Sequence, residues 1–311
     1  MVHEPSHFDP DDIARDEELL AEAVARIGPA LDFWFQPEIR GLERVPEGPA
    51  LLVGNHNGGS MSPDSFVIGV AMYRAHGVKS VPYWLAHDMV VSLPLFRQVV
   101  PLGVVRASSS MAHAVFSAGR KVLVYPGGEE DTLRPWAERD RIIFAGRTGY
   151  IRLALRERVP VVPIVVAGAH EVFVVLGGGP ALARLLLTKP LFRVKTWPLT
   201  LSLPWGLTPG PPPVYLPFPV RMIGEVLEPI LFEPNGPEAA ADEAYVRRCD
   251  DLVRARMQAA LSRLAAERRE TGRYSFSGRR WSGWREPGIH DMDEDPEPTP
   301  DEPNPDVGSN E

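Results

Sequence analysis

The chain has 311 residues, 44% hydrophobic and 24% charged. These are the proportions of a soluble globular protein with room for a sizeable core, in one large domain or two small ones. Its single cysteine, Cys249, excludes an internal disulfide framework and a cysteine-based metal site. The net charge of −8 is concentrated at one end: residues 286–311 hold ten acids and no lysine or arginine, so the rest carries +2, which gives no reason to expect nucleic acid as a partner.

Residues 1–9 read as a disordered lead, without the apolar stretch of a signal peptide. No uninterrupted apolar run reaches about 18 residues, so no spanning helix is expected. From Asp11 to Arg26, Ile13, Leu19, Leu20, Ala23 and Val24 fall at helical spacing behind an acidic first turn, and Gly28-Pro29 predicts the helix end. Leu31 to Phe35 is an aromatic cluster that either packs on the core or touches lipid. Ile39 to Leu42 reads as a short strand. Ala50 to Val53 reads as a buried strand that breaks at Gly54 and leads into Asn55-His56 and a small-residue loop, Asn57 to Ser60. Ser62-Pro63-Asp64 is a helix start, with the helix reaching about His76.

Further strands are expected at Val81 to Ala86, Leu102 to Arg106 and Val122 to Tyr125, with a helix from Ser108 to Arg120 and a short helix or loop from Pro94 to Val100. The strand at Val122 ends in Pro126-Gly127-Gly128-Glu129-Glu130-Asp131. A basic segment follows, with Arg134, Arg139, Arg141 and Arg147. Gly149 to Glu157 predicts a helix and Val161 to Val166 a buried strand closed by Gly168-Ala169-His170-Glu171. Val172 to Pro219 is apolar and rich in proline; it is either a hydrophobic flap or interfacial element, or an ordinary loop and helix packed on the sheet. A strand at Val220 to Ile223 and a long amphipathic helix from Ala239 to Arg268 complete the core.

Residues 268–285 interleave six arginines with Tyr274, Phe276, Trp281 and Trp284. That pattern suits an anionic membrane surface, and equally a helix end running into a linker. The acidic, proline-rich tail predicts disorder. Strands alternating with helices imply an α/β fold, with a largely parallel central sheet flanked by helices and its site loops converging on one crevice at the strands' C-terminal ends. The domain expected is 10–270, with 271–311 outside it.

A histidine at a strand end and an acid on the next helix can build a general base with an orienting carboxylate. Helix capping alone also accounts for Asp64, and His56 also fits as a satisfied loop histidine. No Gly-x-Ser-x-Gly elbow and no phosphate-binding Gly-Lys-Ser/Thr loop is present. His56, His87 and His170 lack paired ligand spacing, so no metal is expected.

Four strand-end blocks occur in order: Asn55-His56 with Asp64; Gly103-Val104-Val105-Arg106; Tyr125-Pro126-Gly127-Gly128-Glu129; and Val159 to Ile164. Together with Phe144 to Gly149, this order resembles the glycerolipid acyltransferases of the 1-acylglycerol-3-phosphate acyltransferase type, over roughly residues 42–230. In that family the first block is a histidine followed, across four residues, by an aspartate. Here Met61 stands at that place, and Asp64 lies eight residues on, beyond a Gly-Gly insert. The third block reads Pro-Gly-Gly, as in the diacylglycerol-acyltransferase-like branch, instead of Pro-Glu-Gly-Thr-Arg. The family arginine that grips the acceptor phosphate is therefore missing from its usual place; Arg134, Arg139 or Arg141 replaces it, or the acceptor lacks a phosphate.

The resemblance implies acyl transfer from a thioester, acyl-CoA or acyl carrier protein, to a glycerolipid hydroxyl, with no cofactor. His56 would be the base and Asp64 its orienting acid, with Gly58, Gly59, Gly127 or Gly128 donating to the oxyanion. Arg106 would meet a phosphate, Glu129 acceptor hydroxyls, and Asn55, Pro126, Arg141 and Arg147 would line the substrate site. Other readings of the same pair are a thioesterase or lipid esterase, or a non-catalytic lipid-binding relative. A lipid substrate and no spanning helix imply a cytoplasmic protein lying on the inner face of the membrane, and the Ala/Arg/Pro/Gly-rich composition has a bacterial character. Removing residues 286–311 is expected to leave both acyl-transfer turnover and the melting temperature of the purified protein unchanged.

Overall fold

The computed structural model describes residues 15–56, 58–59, 61–86, 99–177, 198–212 and 214–271, with backbone alone at 275–276 and 279–280. The expected disordered lead, the 178–197 part of the apolar stretch, nearly all of the Arg/Trp segment and the acidic tail lie outside the described residues.

The centre is a seven-stranded sheet. Its strands are β1 (Glu38–Arg40), β2 (Ala50–Gly54), β3 (Tyr83–Ala86), β4 (Val104–Arg106), β5 (Lys121–Val124), β6 (Val161–Ala167) and β10 (Ile223–Val226), in the order β1-β10-β6-β2-β5-β3-β4. Strands β6, β2, β5, β3 and β4 are mutually parallel, as their near-continuous apolar runs predict. β10 runs antiparallel to β6 and pairs parallel with the edge strand β1. A separate antiparallel sheet is formed by β7 (Val174–Gly177), β8 (Leu199–Ser202) and β9 (Gly206–Pro209).

Strand residues alternate between two cores, as the pleat requires. Leu51, Val53, Val122 and Val161 face a layer made by helices α3 (Ser109–Ser117), α5 (Gly149–Glu157), α6 (Pro237–Ala241) and α7 (Glu243–Thr271). Ala50, Leu52, Leu123 and Val162 face α1 (Glu17–Phe35) and α2 (Pro63–His76). The Ser108 hydroxyl caps α3 by accepting the Met111 amide at 3.1 Å. Among the described residues, no helix is long and apolar enough to cross a membrane.

Helix α1 does not stop at Gly28-Pro29; it runs through both to Phe35, absorbing the aromatic cluster into its last turns. An interior proline costs a helix about 3 kcal/mol, and contacts with α2 outweigh it. Leu31 and Phe35 are buried in the core. Arg74 of α2 forks onto Asp32 at 2.9 and 2.8 Å, in space that a side chain at residue 28 would occupy.

Arg268 is not part of a surface segment. It is buried near the end of α7, where its guanidinium meets Glu171 at 2.6 and 3.3 Å and donates to the Arg221 carbonyl at 2.8 Å. This pair ties the long C-terminal helix to the loop that follows β6. Arg268→Ala leaves the buried Glu171 carboxylate only its 3.6 Å contact with Arg139, and is expected to cost about 3 kcal/mol in denaturant unfolding, far more than truncating the exposed Arg256 on the same helix.

Candidate functional site

The parallel strands deliver their C-terminal ends to one edge of the sheet, and three of those ends meet around His56. The residue before it, Asn55, is buried and turned into the sheet. Its amide donates to the Val166 carbonyl at 3.2 Å and accepts the Val166 amide at 2.8 Å. Asn55 therefore extends the β2–β6 ladder by one side-chain rung, and its polar atoms are spent there and not on the crevice.

The half-buried His56 is positioned by two contacts from the β5 loop. Its backbone N–H donates to Asp131 Oδ2 at 3.0 Å. Its imidazole lies 5.0 Å from the Tyr125 ring, inclined at 43°. Tyr125 reaches this place because Gly54 has no side chain: a Cβ there would sit 2.5 Å from the phenol ring. The Tyr125 hydroxyl shares a 2.8 Å hydrogen bond with the Ser65 hydroxyl on α2.

Asp131 is fully buried and ion-paired with the equally buried Arg134. Burial pulls Arg134 down to about 10, which leaves it charged at neutral pH. Arg134 also donates to the carbonyls of Glu138 and Arg139 at 3.0 and 2.9 Å. Its own carbonyl meets His170 Nε2 at 3.0 Å, so His170 braces the loop. Arg134 is thus a structural cation and is not available to a substrate phosphate. Arg139 stacks on Trp136 and faces Glu171 at 3.6 Å. Arg141 and Arg147 are exposed. Arg141 faces Glu138 at 3.4 Å, while Arg147 donates to the Gly127 carbonyl and faces Glu130 at 3.5 Å.

The Pro126-Gly127-Gly128 turn leads into α4 (Gly128–Thr132), the short helix that carries Asp131. Only glycine fits at 127, where a Cβ would strike the Asp131 side chain and the Ile143 carbonyl, both at 2.2 Å. Glu129 is exposed on the first turn. The Gly58 amide donates to the Ala169 carbonyl at 3.3 Å and the Gly59 amide to the Thr132 carbonyl at 3.2 Å. Both are committed within the fold, so of the four expected oxyanion donors only Gly127 and Gly128 retain that reading. Arg106 is exposed at the end of β4, three strand spacings or about 14 Å from β2.

Asp64 lies in the first turn of α2 and is completely buried. Neither of its oxygens has a hydrogen-bond partner, so the structure does not join it to the His56 imidazole. Burial pushes its carboxyl up to about 7, against the smaller opposing pulls of the Ser65 amide and the Tyr125 hydroxyl nearby. Ser62 stands at the helix N-cap without making a side-chain cap. Among the described residues no cluster of histidine, cysteine and carboxylates is disposed to hold a metal ion.

Tyr125 and Asp131 were not among the site residues expected from sequence, and Arg134 was expected as a candidate for the acceptor phosphate, not as the partner of Asp131. The sequence signal for them is position: Tyr125 immediately precedes the Pro-Gly-Gly turn, and Asp131 and Arg134 stand three apart just after it.

The acyltransferase family model matches residues 36–167, the span from β1 through β6. An uncharacterized protein of Mycobacterium tuberculosis is 31% identical over 242 residues, 76% of this chain and 63% of that one. The chicken (Gallus gallus) protein described as a DGAT1/2-independent enzyme synthesizing storage lipids is 25% identical over 203 residues, 65% of this chain and 54% of that one. The chain thus spans under two thirds of the length of these relatives. The crystal structure of the 1-acyl-sn-glycerophosphate acyltransferase PlsC from Thermotoga maritima superposes with a TM-score of 0.48 at 15% identity, over 79% of this chain and 80% of that one.

The folded Asp64 carboxyl titrates near 7, against an ordinary value of 3.8. Between these limits the native state holds the extra proton, so the group's contribution to stability falls as pH rises from about 4 to 7 and is level outside that window. Asp64→Asn removes this dependence. In thermal melts the variant's melting temperature is expected to gain on the wild type's steadily from pH 4 to 7, with no further gain above.

Proposed function

We propose that this chain is a glycerolipid acyltransferase, which moves a fatty acyl group from an acyl thioester to a hydroxyl of a lysophospholipid or other glycerolipid; the acyltransferase family model over residues 36–167 supports this reading. The observation that carries the proposal is the half-buried His56 at the end of β2, its backbone held by Asp131, followed on the next helix by a fully buried carboxylate, Asp64, whose oxygens have no hydrogen-bond partner. A lone buried carboxylate is costly, and such strain gathers at reacting centres.

In this mechanism His56 takes the proton of the acceptor hydroxyl as its oxygen attacks the thioester carbonyl. The tetrahedral intermediate collapses with the thiolate as leaving group, and the imidazolium returns the proton to that sulfur. Asp64, ionised above about pH 7, supplies the negative charge that favours the imidazolium. The Gly127-Gly128 turn faces the developing oxyanion. Arg141 and Arg147, the exposed cations of the 134–147 segment, would meet an anionic acceptor, and Arg106, farther along the same edge, a phosphate of CoA. No cofactor enters these steps. The donor is acyl-CoA or an acyl carrier protein, and the enzyme works from the cytoplasmic membrane surface.

The test is turnover of radiolabelled acyl-CoA by purified protein, with lysophosphatidic acid, other lysophospholipids, monoacylglycerol, diacylglycerol or no acceptor. Transfer to a lipid hydroxyl is expected, with His56→Ala at least about a thousandfold slower and its melting temperature close to wild type. Free fatty acid as the main product would make the protein a hydrolase on this fold, and full activity of His56→Ala would remove His56 from the chemistry.

A further inference from the structure

Within the small sheet β7–β9, strand β8 is built inside out. On β8, Thr200 and Ser202 point inward and are buried, while Leu201 points to solvent. Thr200 hydrogen-bonds Thr208 of β9 at 2.9 Å and the Gly210 carbonyl at 2.9 Å, whereas the buried Ser202 hydroxyl has no hydrogen-bond partner. Leu201 pairs directly with Leu207 of β9, which is 59% exposed. Leu176, Leu203 and Leu216 are exposed in the same hairpin region, as is Trp205, at 57%. The Trp205 indole N–H is already satisfied by the Val214 carbonyl at 2.6 Å, which leaves its ring as bare apolar surface. A strand pattern with polar side chains in and leucine out is the reverse of what water selects.

Charge identifies what the face meets. Residues 172–224 contain no aspartate or glutamate in a chain that has 41, and the connection between β7 and β8, residues 178–197, carries Arg184, Lys189, Arg193 and Lys195 in its sequence. Leucine and tryptophan in a stretch of sequence that carries cations and no acids match an anionic bilayer surface. The sheet is also rooted at the candidate site. Leu216 donates to the Leu203 carbonyl at 2.8 Å, and the adjacent Tyr215 hydroxyl accepts the Met61 amide at 3.0 Å in the loop following His56.

We propose that the outer face of β7–β9, centred on the Leu201–Leu207 pair and Trp205, is the surface with which the chain docks on an anionic lipid bilayer. This deepens the reading of the chain as an enzyme that acts on lipid. Docking there sets the crevice around His56 beside the membrane surface from which a lipid acceptor would come.

The experiment uses the full chain and vesicles of equal parts phosphatidylglycerol and phosphatidylethanolamine, against vesicles of phosphatidylcholine. Cosedimentation is expected with the anionic vesicles and much less with the neutral ones. Leu201→Glu/Leu207→Glu should weaken binding at least about tenfold, since two leucines lose their apolar contact. As a readout independent of that variant's folding, the lone cysteine Cys249 is buried, so Leu207→Cys accepts an environment-sensitive fluorophore selectively. Its emission should shift blue on anionic vesicles, while the same label at Arg256→Cys, on the exposed side of α7, should not respond. Absence of vesicle binding, equal binding to both compositions, an unresponsive label at 207 on bound protein, or wild-type binding by the double variant would each overturn the proposal. So would a blue shift that grows with protein concentration without lipid, which would assign the face to a second copy of the chain. Vesicle binding needs no turnover, so a protein that binds as described and transfers no acyl group would refute the catalytic reading alone.

Discussion

The arrangement around His56 depends on one buried carboxylate that does no chemistry in the proposed reaction. Asp131 accepts the backbone N–H of His56 and pairs with Arg134, joining the end of β2 to the loop after β5. Arg134 carries the linkage onward through its carbonyl to His170 in the loop after β6. Three neighbouring strand ends are thus fastened by one chain of contacts, with the Gly58 and Gly59 amides adding two cross-links of the same kind. Asp131, Arg134 and His170 are buried and joined to one another by an ion pair and hydrogen bonds, the condition under which such a network rigidifies a site.

Asp64 stands in contrast to that network. It is as buried as Asp131 but has no cation beside it and no hydrogen bond at its oxygens. The same helix start could be built with the acid turned to solvent, where it would stabilise the helix dipole without desolvation. Keeping it inside sacrifices stability. In the proposed reaction the two acids divide the work: one holds the backbone of the histidine in place, and the other would favour its protonated ring.

Much of the sheet was legible because buried parallel strands write themselves as short apolar runs between turn residues; Ala50 to Val53 and Val161 to Val166 fell within a residue of β2 and β6. The helix Gly149 to Glu157 came out with the predicted bounds. Where the reading differed, a tertiary contact had overruled a local signal. Gly28-Pro29 looks like a stop, and only the approach of Arg74 shows why the helix continues. Arg268 looks like the first residue of a basic surface segment, and only its burial against Glu171 shows otherwise. The site was legible as a location, the strand end at His56, more than as a set of roles. Asn55, Gly58 and Gly59 look like substrate contacts but hydrogen-bond across the sheet edge. Asp131 looks like one more acid in Glu-Glu-Asp, because its role comes from a histidine 75 residues away along the chain. The topology of β10, which with its parallel neighbour β1 runs opposite to the other five strands of the central sheet, has no local signature at all.

That topology has a consequence for how the molecule is made. Strand β1 is synthesised early, yet its hydrogen-bonding partner is β10, which follows every other strand of the central sheet. Until β10 emerges from the ribosome, β6 is an unsealed sheet edge with exposed backbone groups, and the upper rim of β1 has nothing to pair with. Late closure by distant segments slows folding and leaves edges open to wrong partners. The nascent chain therefore passes through a long interval as an incomplete sheet, and completion waits on the C-terminal third of the described fold, where α7 and its Arg268 clamp arrive together.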